Sequence, residues 1–87
     1  MARYELRVKP SVARDLRGVP RADIDRILAR IAALRDDPRP PGSEKLASQE
    51  RYRVRQGQYR ILYTVADDVL VVEVINVGHR RDVYRDS

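Results

Sequence analysis

The chain has 87 residues, so residues 1–87 read as a single domain, and its 18 basic and 13 acidic residues give a formal charge of +5. It has no cysteine, which excludes disulfides and thiolate metal sites. Its single histidine, His79, would need carboxylates at unusual spacing to hold zinc, so neither a metal nor a cofactor is expected. No apolar run approaches the roughly 18 residues a membrane span requires and the first residues lack an apolar signal core, so the expected compartment is the cytoplasm.

Of the 18 basic residues, 16 are arginine; only Lys9 and Lys45 are lysine. A high-GC genome produces such a ratio without functional cause, so the placement of the arginines is more informative than their number. A guanidinium presents a planar fork that matches a phosphate bidentately, which an ammonium cannot do.

Taken in chain order, Tyr4, Leu6 and Val8 alternate with Arg3, Glu5 and Arg7, the pattern of a half-buried strand ending at Pro10. Val12, Ala13 and Leu16 fit one face of a short helix that Gly18 and Pro20 stop. Ile24, Ile27, Leu28, Ile31 and Leu34 then recur at helical spacing, so a short and a long helix form a hairpin. Pro38, Pro40, Pro41 and Gly42 mark a loop.

From Arg51 the period becomes two. Tyr52 and Val54 alternate with Arg51, Arg53 and Arg55, and after a turn predicted at Gln56-Gly57 the residues Tyr59, Ile61, Tyr63 and Val65 alternate with Gln58, Arg60, Leu62 and Thr64. Ala66-Asp67-Asp68 reads as the next turn, and the apolar run Val69 to Val77 as a central strand covered on both faces. The predicted fold is α+β: an N-terminal strand, a helical hairpin and an antiparallel β-meander, with the helices packed on one face of the sheet.

The predicted turn places Arg53 opposite Arg60, with Tyr52, Val54, Tyr59 and Ile61 on the core face and Arg51, Arg53, Arg55 and Arg60 on the other. Like charges directly opposed weaken a sheet, and no acidic residue lies between Arg51 and Arg60. A solvated sheet face that happens to be basic is one reading; a face built to receive a polyanion is the other. The tail Gly78-His79-Arg80-Arg81-Asp82-Val83-Tyr84-Arg85 adds a second basic cluster. His79 there is either a surface residue or a proton carrier. Tyr84 packs on the sheet, stacks on a base or acts as a general base.

The segment Tyr52 to Tyr63, with its Arg-x-Gly-x-Tyr-Arg hairpin, and the segment Val77 to Tyr84, with its His-Arg-x-x-Val-Tyr tail, resemble the C-terminal half of RelE-type toxins. The initial strand, Lys9-Pro10-Ser11 at the helical hairpin and Lys45-Leu46 before the sheet extend the likeness over nearly the whole chain. The resemblance implies a toxin of a type II toxin–antitoxin system that cleaves messenger RNA on the ribosome. Its expected partners are a cognate antitoxin, in a hetero-oligomer, and the ribosome with its message. Carried over by motif, the catalytic set is Arg53, Arg55, Arg60, Arg80 and Tyr84, and the further RNA contacts are Lys45, Arg51, His79 and Arg81. The implied reaction needs no metal: the ribose 2′-OH attacks the adjacent phosphorus. Some family members carry lysines where this chain has Arg53 and Arg55, and arginine is the poorer proton donor, so Arg55 and His79 both stand as general acids. Two alternatives remain within this fold: a ParE-type toxin, which acts on DNA gyrase, and an RNA-binding module without activity.

Overall fold

The computed structural model describes residues 3–46 and 51–79. Strand β1 (Glu5–Val8) leads into helix α1 (Ser11–Asp15) and helix α2 (Arg21–Ala33); strands β2 (Glu44–Lys45), β3 (Arg51–Gln56), β4 (Tyr59–Ala66) and β5 (Val71–His79) follow. They form one sheet in the order β1-β5-β4-β3-β2. The meander β3-β4-β5 is antiparallel, as expected, but β1 pairs with β5 in parallel, so the sheet is mixed. The fold is α+β, with both helices packed against the sheet.

The core lies between helices and sheet. Val12 of α1, Ile27 and Ile31 of α2 and Leu34 beyond it meet Tyr52, Val54, Ile61, Tyr63, Val65, Val72, Val74 and Val77. The buried stripe of α2 is narrower than its periodicity suggests, because Leu28 is 48% exposed. The apolar run of β5 also differs from expectation. Val69 and Leu70 lie in the turn before it, and within the strand full burial alternates at Val72 and Val74. β5 is therefore central in the sheet, and among the described residues its buried side chains, Val72, Val74 and Val77, belong to the core under the helices. A bulge at Leu62/Tyr63 interrupts its pairing with β4. There the backbone N–H of Val77 donates to Asp15 Oδ2 at 3.1 Å, which ties α1 to the sheet and answers a donor near the ladder's interruption.

The proline-rich loop is pinned by side chains of the sheet. The buried Tyr63 hydroxyl donates to the carbonyl of Pro38 at 2.7 Å. Arg39 donates through Nε to the Tyr52 hydroxyl at 3.0 Å and through Nη1 and Nη2 to the Asp67 carboxylate at 3.2 and 2.7 Å. The Tyr4 hydroxyl donates to the same carboxylate at 2.6 Å. Arg39 and then Tyr4 hold the Asp67 carboxyl below its ordinary value, while burial pushes the Tyr63 hydroxyl up to about 12. These contacts direct the chain from α2 across to the far edge of the sheet, where β2 begins.

Candidate nucleic-acid interface

Residues directly opposed in a β-ladder point to the same face, so the pairing settles which side chains share a surface. Arg51 faces Thr64, Arg53 faces Leu62 and Arg55 faces Arg60. Across the other side of β4, Arg60 faces Gly78, and across β3, Arg53 faces Glu44. Arg51, Arg53, Arg55 and Arg60 therefore share the face turned away from the core, the division that the alternation predicts.

The pairing itself departs from the sequence reading. The turn is Gly57-Gln58, not Gln56-Gly57, so Gln56 pairs with Tyr59 and the opposed arginines are Arg55 and Arg60, not Arg53 and Arg60. Gly57 has φ 61, and Leu70 is the one non-glycine residue with positive φ among the described residues. A two-residue hairpin turn with positive φ at its first position alone calls for glycine there, which explains why the loop starts at Gly57 rather than one residue earlier.

Within this face the four arginines differ. Arg51 and Arg55 are exposed. The Arg53 side chain is 20% exposed, and its Nη2 donates to Glu44 Oε2 at 3.0 Å. An acidic residue thus does relieve the basic run, supplied from β2 rather than from between Arg51 and Arg60. Arg60 is 1% exposed. A buried cation persists only where its charge and donors are answered, and Arg60 is not without partners. Opposite it, Gly78 has no side chain to compete for space. Arg55, Gly57, Gln58, Tyr59 and Arg60 border a cavity of about 70 Å³ at the hairpin end, which has room for a few waters.

Two predicted RNA contacts lie elsewhere. Lys45 pairs with Tyr52, which places it on the core side of the sheet at its edge; its neighbour Glu44 is the one on the arginine face. His79 pairs with Tyr59. Its ring meets the Tyr59 ring edge-on at 5.5 Å between centroids, and its Nε2 lies 3.1 Å from Gln58 Oε1. His79 is thus on the face opposite Arg55 and Arg60. Arg80, Arg81 and Tyr84 lie outside the described residues.

Glu44, which the structure brings onto Arg53, is not among the residues that the sequence singles out. It sits in a strand of two residues, which has no periodicity to detect; the available signal was a carboxylate just after the proline-rich loop, one residue before Lys45.

The structure is thus a small α+β domain with two helices packed on one face of its sheet and four arginines set by register on the other. Residues 6–84 match the family described as the ParE toxin of the type II toxin–antitoxin system parDE. Toxin RelG of Mycobacterium tuberculosis is 34% identical over 90 residues, covering 94% of this chain and 97% of the relative. Among solved structures, the archaeal RelE–RelB complex from Pyrococcus horikoshii aligns with a TM-score of 0.80 at 27% identity, over 92% of this chain and 97% of the other. The toxin–antitoxin complex RelBE2 of Mycobacterium tuberculosis aligns with a TM-score of 0.67 at 28% identity, over 90% and 99%. The chain belongs to the ParE toxin family, within the RelE/ParE superfamily, and is a toxin of a type II toxin–antitoxin system that is RelE-like in structure.

Proposed function

We propose that this toxin is an endoribonuclease that cleaves messenger RNA held in the ribosome, in the cytoplasm, and that a cognate antitoxin restrains it in a hetero-oligomer. The observation that carries the reading is the convergence of Arg51, Arg53, Arg55 and Arg60 on the sheet face turned away from the core. A gyrase inhibitor has no need of such a set. The antitoxin partner is supported by the solved relatives, which are toxin–antitoxin complexes.

In this reading the ribose 2′-OH attacks the adjacent phosphorus, a 2′,3′-cyclic phosphate forms and the 5′ oxygen leaves. Tyr84 removes or orients the 2′-OH proton. Arg53, Arg60 and Arg80 neutralise the charge that builds on the pentavalent phosphate. The leaving 5′ oxygen needs a proton, and of the two candidates Arg55 shares the face of Arg53 and Arg60 while His79 does not. That geometry favours Arg55. A guanidinium gives up its proton reluctantly, so its main contribution is charge. The ribosome supplies the in-line geometry of the message. Arg51 and, in the tail, Arg81 extend the contact to neighbouring phosphates.

The test is single-turnover cleavage of a message on a programmed ribosome, with gyrase supercoiling run in parallel. Arg53→Ala and Arg60→Ala are each expected to slow cleavage about a hundredfold, the scale of one lost contact to a transition-state oxyanion. Tyr84→Phe separates proton transfer from stacking, because it keeps the ring. Intact message together with inhibited supercoiling would replace this reading with gyrase inhibition, which the ParE family match favours.

A further inference from the structure

β2 is two residues long and pairs with β3 through Glu44 opposite Arg53 and Lys45 opposite Tyr52. Opposed residues in an antiparallel pair bring their Cβ atoms within roughly 4.5–5.5 Å on one face. Register, rather than the wandering of a loop, therefore delivers Glu44 to the arginine face. The other carboxylates that register places on this face, Glu5 and Glu73, are on β1 and β5, where they flank Arg7.

The pair is asymmetric. The Glu44 side chain is 54% exposed and that of Arg53 only 20%. Arg53 Nε is buried and makes no hydrogen bond, whereas Nη2 is taken by Glu44. Arg53 is thus the fixed member and Glu44 the movable one, sitting on the solvent side of a guanidinium that still has donors to offer. A carboxylate and a phosphate diester compete for the same fork.

We propose that Glu44 is a positioning residue that occupies Arg53 in the free toxin and is displaced by a backbone phosphate, so that it sets how tightly this face holds a nucleic acid. The identity of that phosphate rests on the RNA reading above; the exchange at Arg53 does not. Displacement has a consequence in charge counting. A cation that meets a phosphate releases counterions from a single strand with a salt slope of about 0.7 per contact. When the phosphate must first evict Glu44, the freed carboxylate gathers a cation back and that contribution is lost.

The experiment uses the whole chain, Glu44→Gln and Glu44→Ala, each alone and in an Arg53→Ala background. Inorganic phosphate is titrated while the Arg53 Nε–H resonance is followed by NMR. An uncleavable 2′-O-methyl oligoribonucleotide is then bound at several salt concentrations. Both Glu44 variants are expected to bind phosphate at Arg53 about two- to fivefold more tightly, the scale of one partly exposed ion pair. They should bind the oligonucleotide more tightly by the same factor, with a salt slope steeper by about 0.7. In the Arg53→Ala background the gain on the oligonucleotide should vanish. An unchanged phosphate affinity at Arg53, or an equal gain on the oligonucleotide without Arg53, would overturn the proposal. Tighter phosphate binding at Arg53 with no binding of the oligonucleotide by any form would remove the RNA reading and leave the exchange standing.

Discussion

Tyr63→Phe removes one oxygen from the middle of the fold, and its destabilising effect should shrink as pH rises into the alkaline range. The hydroxyl is fully buried and donates to the Pro38 carbonyl at 2.7 Å, and Pro38 is itself buried. Deleting the donor strands that carbonyl, which costs about 1–3 kcal/mol. For a domain of this size each kcal/mol lowers Tm by roughly 4–8 °C, so the variant should melt clearly below the wild type at neutral pH. The wild type carries a liability that the variant lacks. Burial raises the Tyr63 hydroxyl from 10.0 to about 12, so between those values the unfolded chain loses its proton while the folded one retains it. The folded state then binds more protons than the unfolded state, and stability falls as pH rises. Two units correspond to roughly 2–3 kcal/mol, comparable to the hydrogen bond itself. Wild type and variant should therefore converge as pH approaches about 12. Thermal melting across the alkaline range, with tyrosinate absorbance followed in parallel, measures both effects. Equal melting at neutral pH, or a parallel decline of the two proteins up to pH 12, would refute the role assigned to this hydroxyl.

Gly57→Val should destabilise the domain by about 1–2 kcal/mol through backbone strain alone, because φ is 61 and nothing lies within 4 Å of the added Cβ; equilibrium unfolding in urea measures it, and a loss below a few tenths would show that the turn adapts. Asp67→Asn should flatten the acid limb of the stability profile. Arg39 and Tyr4 depress the Asp67 carboxyl below 3.8, so its contribution is complete above that value and is lost as pH falls through the lower folded value; melting curves below about pH 4 should show a shallower decline in the variant. Gly78→Val puts a branched side chain directly across from the buried Arg60. Cleavage should fall about as far as in Arg60→Ala, on the order of a hundredfold, in the ribosome assay, and undiminished cleavage would show that Arg60 does not need that space.

Much of the fold follows from local periodicity. The hairpin strands and α2 are visible because their buried residues recur at the period of their own element. The partner of β1 is not visible, since parallel pairing with β5 joins segments more than sixty residues apart through a crossover that leaves no local signature. The hairpin turn shows a subtler limit. Moving a two-residue loop by one position re-pairs every residue but keeps each side chain on its face, so the alternation of Tyr52, Val54, Tyr59 and Ile61 satisfies either register equally. Only turn chemistry at Gly57 separates the two, and it decides whether Arg60 stands opposite Arg53 or Arg55.

The same parity governs the candidate site, where charge and chain proximity mislead when taken without it. Lys45 adjoins the arginine strand and carries the expected sign, yet it points with Tyr52, and the residue before it, Glu44, is the one that reaches Arg53. His79 follows Gly78, which lies directly across from Arg60, and that adjacency places the imidazole with Tyr59 on the other surface. In a sheet, the immediate neighbour of a site residue is the residue least able to join it. The members of this face are selected at every second position: Arg51, Arg53 and Arg55 on one strand, with Arg60 opposite Arg55 on the next. A carboxylate enters the cluster because an edge strand of two residues happens to present its acid, and not its base, on that side. The basic run thus contains its own counter-charge, and under the proposed function a backbone phosphate would have to compete with Glu44 for Arg53.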